Sequence, residues 1–323
     1  MRKYLLLLCL VLVVVILVLW RRKAADISQP RVDSQKSTVL WNATEDLQEY
    51  AKRIGIRSSD SVDLGDGAII DFVLIPAGEF LMGPGGDPND TFVVQEGKKT
   101  IRFWLDELPS HRVTLTRPFF MSKYEITQQQ FRTIMGTNPS AFPGDLRPVE
   151  QVSWDEANEF CKRLGERVHR EFHLPTEAEW EYACRGGTTA RFYNGDSVED
   201  LVQAAWYRGN SNVGVVYADS ANTTRKVGQK APNKFGLYDM LGNASEWCLD
   251  YYEPDYYKSS PPVDPPGPIS GVNHVVRGGD WESNPSSCRS SARVEGNLRT
   301  MNPNWNVGFR VICVDVDHGS NGR

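Results

Sequence analysis

The sequence predicts an α+β protein in which regular secondary structure is the minor part. Three segments carry the helical share: "TQQQFRTIMG" from Thr127, "SWDEANEFCKRLG" from Ser153 and "TEAEWEYACRGG" from Thr176. Each opens Ser/Thr-x-x-Glu/Gln, a capping box whose hydroxyl and N3 side chain satisfy free N–H groups of a first turn. Each closes on a glycine: Gly136, Gly165 or Gly186. Beyond residue 186 no helix signal of comparable strength follows. Short β-type runs such as "HVVRGG" (274–279) and "VGFRVICV" (307–314) alternate there with long loops. Finally, 27 glycines, 19 prolines and 11% aromatic residues describe a loop-rich globule held by aromatic anchors.

In chain order, the first element is apolar. "YLLLLCLVLVVVILVLW" (4–20) lies between Arg2, Lys3 and Arg21, Arg22, Lys23, and has no small-x-small cleavage site. It is read as one uncleaved membrane anchor rather than a removed signal, with Tyr4 and Trp20 at the two interfaces. Cations flank both ends, and the globular part is expected outside the cytoplasm. "ATEDLQEYAKRI" (43–54) suits a short amphipathic helix. "FVLIPAGEFLMG" reads as a β-hairpin turning at "PAGE", and "GPGGDPND" as an irregular loop without the glycine order of a phosphate cradle. The three helices then present Phe131/Ile134/Met135, Phe160/Cys161/Leu164 and Trp180/Ala183/Cys184 at helical spacing. Glu177, Glu179 and Glu181 read as a solvated first turn favoured by the helix dipole, and Trp180 as core.

Charge excludes one class of partner. Net charge is −5, and no Lys/Arg run in the body of the chain would neutralise a row of phosphates, so nucleic acid is not expected. The five histidines are scattered, and no HExxH, GxSxG or CxxC occurs.

"FVLIPAGEFLMG", "RPFFMSKYEITQQQF", "PVEQVSWDEANEFC", "HLPTEAEWEYACRGG", "NKFGLYDMLGNASEW", "VVRGGDW" and "VGFRV" occur in this order. Together they resemble the formylglycine-generating enzyme, or sulfatase-modifying factor, domain. The resemblance implies a formylglycine-generating-enzyme fold with a C-type-lectin-like core over residues 69–315. Around it would lie a cytoplasmic 1–3, the transmembrane helix at 4–20, a linker at 21–68 and a tail at 316–323. Active members oxidise a sulfatase cysteine in Cys-x-Pro-x-Arg to formylglycine with O₂ and copper.

Those members carry G-G-x3-C-x4-C, and two thiolates suit Cu(I). Counted from Gly279, the first position is Ser283 and the second Cys288. A serine hydroxyl is a hard, neutral and poor Cu(I) ligand, so copper is not expected here, and Cys288 is the one catalytic candidate by spacing. In "YDMLGNASEW", the positions matching family calcium ligands are Asp239, Gly242, Ala244 and Glu246, oxygen donors of the kind Ca²⁺ prefers. The family also implies bridges, Cys161 to Cys313 and Cys184 to Cys288. Three readings follow: an accessory or binding module whose partner is a sulfatase or another protein or peptide; a formylglycine-generating oxidase; or a metal-dependent oxidase of some other substrate.

Overall fold

Alternation in "IIDFVLI" builds strand β2 (Ile69–Ile75), with Ile70, Phe72 and Leu74 inward and Ile69 and Asp71 outward. The computed structural model describes residues 40–84, 93–96, 99–102, 105–211, 223–296 and 306–314. The expected anchor at 4–20 and the 316–323 tail lie outside these. Among the described residues no helix is long and apolar enough to cross a membrane.

β2 pairs with β1 (Ser59–Asp63) on one side and β7 (Phe119–Ser122) on the other, and the sheet continues through β13 (Ile312–Cys313) to β8 (Phe172–His173), antiparallel throughout. The globular domain therefore begins well before residue 69. Helix α1 (Leu47–Ile54) buries Tyr50 and Ala51, and β1 buries Val62, so much of the expected linker belongs to the domain.

The expected hairpin does not form. β3 (Gly78–Met82) leaves β2 and pairs with β6 (His111–Leu115) instead. The turn peptide is held from elsewhere: Ala77 O accepts from Trp41 N at 2.7 Å, and Ala77 N donates to the Tyr50 hydroxyl at 3.1 Å. With both groups of Ala77 engaged by the N-terminal segment, β2 and β3 are steered into separate sheets. β4 (Val93–Glu96) and β5 (Lys99–Arg102) form a two-stranded antiparallel ribbon.

Helices α2 (Gln128–Met135), α3 (Trp154–Val168) and α4 (Glu177–Arg185) start as expected, each with both halves of its capping box. Such a cap is worth about 1 kcal/mol. α2 and α4 stop at Gly136 and Gly186 in left-handed geometry. α3 passes Gly165 and stops at His169, φ +55°. Gly165 instead lets the chain fold back: a Cβ there would lie 2.6 Å from Arg170 O. A further helix, α5 (Val198–Ala204), follows residue 186, its box built from Ser197 and Asp200.

A second sheet has the order β11 (Arg293–Gly296), β10 (His274–Arg277), β9 (Ser245–Tyr251), β12 (Val307–Gly308), the last pair parallel. "VGFRVICV" is thus divided. β12 joins this sheet and β13 the five-stranded one, while residues 309–311 cross between them and carry Arg310 into the interior. Two apolar cores result. One gathers Phe72, Phe120, Phe131, Phe160 and Phe309; the other Trp180, Tyr182, Phe235, Leu241 and Cys288.

Candidate functional site

The "YDMLGNASEW" loop can fold tightly because Asp239, Gly242 and Asn243 all adopt positive φ, +53°, +77° and +63°. Gly242 is required: a Cβ would stand 2.2 Å from Trp206 O. The loop delivers Glu246 to β9, opposite Arg310. Glu246 Oε1 accepts from Arg310 Nη2 and Oε2 from Nε, both at 2.7 Å, and Oε2 also accepts from Trp180 Nε1 at 2.7 Å. Arg310 also donates to Ser122 O and Tyr238 O. Glu125 lies behind, accepting from Ala244 N and Asn243 Nδ2, both at 3.3 Å. Burial, then the charges of Asp239 and Glu246, hold its carboxyl well above the usual range. Asp239 Oδ2 accepts from Gly228 N at 2.6 Å, its buried Oδ1 has no partner among the described residues, and burial pushes the carboxyl up to about 6.

The four positions expected to ligate calcium differ in availability: Glu246 is occupied by Arg310 and Trp180, and Asp239 keeps an oxygen without a partner among the described residues. Among the described residues, no group of three or more His, Cys, Asp or Glu is arranged to hold a metal ion.

After β10, Gly278 and Gly279 lead into the Asp280 turn. Ser283 Oγ donates to Asp280 Oδ1 at 2.9 Å and accepts from Asp280 N at 3.0 Å. That hydroxyl is a turn-forming group. Cys288 ends a 3₁₀ turn (Pro285–Cys288) with no exposure, its Sγ 3.0 Å from where a Cβ on Gly279 would sit. Burial drives the thiol far up, away from the reactive thiolate. The residues do not fit a two-thiolate copper centre.

The expected bridges are not formed. Cys161, Cys184, Cys248, Cys288 and Cys313 are all unbridged and buried. Members of each expected pair do share a core, Cys161 with Cys313 and Cys184 with Cys288, but as packed thiols. Burial raises Cys184 to about 12, and Arg170 Nη2 donates to Cys313 Sγ at 3.2 Å.

The acidic face of α4 is not a solvated turn either. Only Glu179 serves the cap. Glu177 and Glu181 point inward, to two arginines about a hundred residues away in sequence and, for Glu181, to one a turn further along α4. Arg277 reaches Glu177 at 3.1 Å and Glu181 at 2.5 Å, Arg293 reaches Glu177 at 2.8 Å, and Arg185 reaches Glu181 at 2.8 Å. A buried pair Glu107–Arg289 at 2.5 Å adjoins them. The signal was the arginine spacing in "RGG" and "CRSSAR", which periodicity within α4 alone does not reveal.

A second polar group surrounds Asn243, drawn from several separate segments that no local motif connects. Arg225 N donates to Asn243 Oδ1 at 2.7 Å, and Asn243 N to Trp206 O at 2.7 Å. Trp281 N donates to Asn243 O, and the Trp281 ring meets Phe142 edge-on at 5.4 Å. Phe142 N in turn donates to Glu150 Oε1 at 2.9 Å. Glu150 Oε2, Trp206 Nε1, Thr224 Oγ1, Arg225 Nε, Trp281 Nε1 and Asn306 Oδ1 are buried without hydrogen-bond partners among the described residues.

Arg277 of "RGG" ion-paired to α4, Arg310 of "GFR" ion-paired to Glu246 of "GNASEW", and that carboxylate bonded to Trp180 of α4, inside two sheets braced by capped helices, define a domain of the formylglycine-generating class. This chain belongs to that family: residues 65–314 match the sulfatase-modifying factor enzyme 1-like domain. It is 38% identical over 181 residues to the formylglycine-generating enzyme of Streptomyces coelicolor, covering 54% of this chain and 55% of the enzyme. It is 29% identical over 241 residues to the chaperone protein LppX of Paenibacillus barcinonensis, covering 62% and 81%. Against the serine/threonine-protein kinase pkn1 of Chlamydia pneumoniae it is 32% identical, over 75% of this chain but 38% of the kinase. Among solved structures, Treponema denticola variable protein 1 superposes with a TM-score of 0.65 at 28% identity, over 80% of this chain and 99% of that one. PvdO of Pseudomonas aeruginosa, TM-score 0.62 at 24% identity over 80% and 99%, shares the fold.

Proposed function

We propose that this chain is a membrane-tethered accessory or binding module of the sulfatase-modifying factor class, held outside the cytoplasm and without copper-dependent cysteine oxidase activity. One observation carries the reading: Ser283 stands where the first thiol of a copper pair is needed, its hydroxyl bonded to Asp280, with Cys288 sealed beneath Gly279. The relative named a chaperone supports a role served by binding, and the kinase match supports use of this domain within larger proteins. The apolar run at 4–20 supplies the tether. A peptide containing Cys-x-Pro-x-Arg, incubated with the copper-loaded protein, is expected to keep its thiol. Formylglycine in its mass spectrum would transfer the chain to the oxidase reading.

A structural calcium ion belongs to the same proposal. Asp239 would hold it through its unpartnered Oδ1, with backbone oxygens of Gly242 and Ala244. Glu125 and Glu246 would add negative potential that Arg310 offsets only in part. The ion's contribution would be to stiffen the loop that feeds β9.

A further inference from the structure

A cleft of about 610 Å³ lies where the start of the domain meets the loop after Asn233. One wall is the segment from Trp41 to Gln48, which turns at Asn42 and enters α1. The other is Lys234, Phe235 and Gly236, with Gly187 beside them. The walls meet through aromatic rings, Trp41 edge-on to Phe235 with centroids 5.2 Å apart. Gly187, φ +85°, lets the Trp41 ring lie against the backbone, since a Cβ there would stand 2.8 Å from Trp41 Cη2. At Gly236 a Cβ would meet nothing within 4 Å, so the second wall leaves open space at that point.

The charges of the cleft cancel in sum but not in place. Glu45 is matched by Arg53, which donates to both its oxygens. Asp46 caps α1, accepting from Glu49 N at 2.8 Å, and forms no ion pair among the described residues. Lys234 is exposed on the opposite wall and has no carboxylate partner among the described residues either. One anion and one cation thus line the same cleft without meeting, on walls joined by an aromatic pair. A ligand of a single charge would suit one wall and be repelled by the other. An ammonium group is attracted by an aromatic ring and by a carboxylate together, and anionic oxygens by the ammonium of a lysine. The volume is that of a small-molecule site.

We infer that this cleft binds a small zwitterion, its ammonium toward Asp46 and Trp41 and its anionic oxygens toward Lys234. That chemistry is shared by the headgroup of a zwitterionic phospholipid and by a free amino acid. The site uses none of the residues that carry the module reading and goes beyond it.

Isothermal titration of the full chain in dodecyl maltoside, an uncharged detergent, uses phosphocholine as the headgroup probe and free glycine as the amino-acid probe. At least one is expected to bind at a single site, and which one binds names the source. Choline chloride and sodium phosphate each carry one of the two charges. Both should bind more weakly by roughly tenfold, the effect of losing one charge-assisted contact. Asp46→Asn keeps a side chain that caps a helix. That variant and Lys234→Gln should melt near the parent and weaken the zwitterion by roughly tenfold. Arg163→Gln, on the exposed face of α3, should change neither property. No saturable binding of either zwitterion at millimolar concentration overturns the inference, and so does equal binding of choline or phosphate. That comparison uses unaltered protein and decides the matter even if a variant does not fold. Zwitterion binding unchanged in both folded variants overturns it as well.

Discussion

Glu246 and Arg310 meet through two 2.7 Å hydrogen bonds with both side chains closed off from water. The arginine comes from the crossover between the two sheets and the carboxylate from the start of β9, so this one pair fixes how the sheets meet. A buried ion pair gives little net stability over an apolar pair, but breaking it strands a charge. Arg310→Met should therefore cost about 3–5 kcal/mol in urea unfolding. Adding Glu246→Gln to that variant removes the stranded charge and keeps an acceptor for Trp180 Nε1, so part of the loss should return. A double variant no more stable than Arg310→Met would show that the loss comes from packing.

Asp250 gives the clearest dependence on pH. It is buried at the start of α4, accepts from Glu177 N at 2.8 Å, and is raised to about 8 by burial and by the charge of Glu177. Unfolded, it would titrate near 3.8. A carboxyl that binds its proton more tightly when folded contributes stability that is whole below the unfolded value. That contribution is lost as pH rises toward the folded one. Melting temperature should fall between about pH 4 and 8. Glu125 and Asp239 shift in the same direction, so the test is a difference: Asp250→Asn, which keeps an acceptor for Glu177 N, should show a shallower fall. Parallel profiles for the two proteins would remove Asp250 as a cause.

The thiols should be silent until the fold opens. With Cys288 buried and its thiol held protonated, iodoacetamide at pH 8 should leave it unmodified in native protein and label it in guanidinium, read by peptide mass. Ser283→Cys should not create a tight Cu(I) site, because the new thiol lies on the Asp280 turn while Cys288 stays packed against Gly279. Copper bound at one equivalent by that variant, with ready alkylation of Cys288, would mean the 3₁₀ turn opens far more easily than its packing implies.

What the sequence disclosed was local. Thr127, Ser153 and Thr176 announce their helices because a capping box is written within four residues, and α5 escaped because its N3 residue is Asp200. The course of β3 was hidden, since the peptide groups of Ala77 that part it from β2 are claimed by Trp41 and Tyr50, distant in sequence. The same holds for the site. Ser283 could be placed by counting from Gly279, whereas Glu177 and Glu181 read as solvated until Arg277 and Arg293 folded over them. The cluster at Arg225 and Trp206 left no trace in any single segment. Its members come from separate segments that meet around Asn243.

Calcium provides the last test, and Asp239 is the residue on which it turns. Three carboxyls, Glu125, Asp239 and Glu246, act on one another inside the domain, with Arg310 bonded to one of them. Burial first, and then this repulsion, raises Glu125 and Asp239; a proton relieves both, and so would a cation bound at the vacant oxygen of Asp239. Protons and Ca²⁺ then compete. Millimolar Ca²⁺ should raise the melting temperature of metal-free protein through binding to the folded state, by more at pH 8 than at pH 5, where protons already fill the carboxyls. Asp239→Ala should abolish the gain at both pH values, while Asp66→Ala, on an exposed turn far along the chain, should keep it. Identical melting curves in EDTA and in Ca²⁺ at pH 8 would leave the proton as the only cation this loop binds.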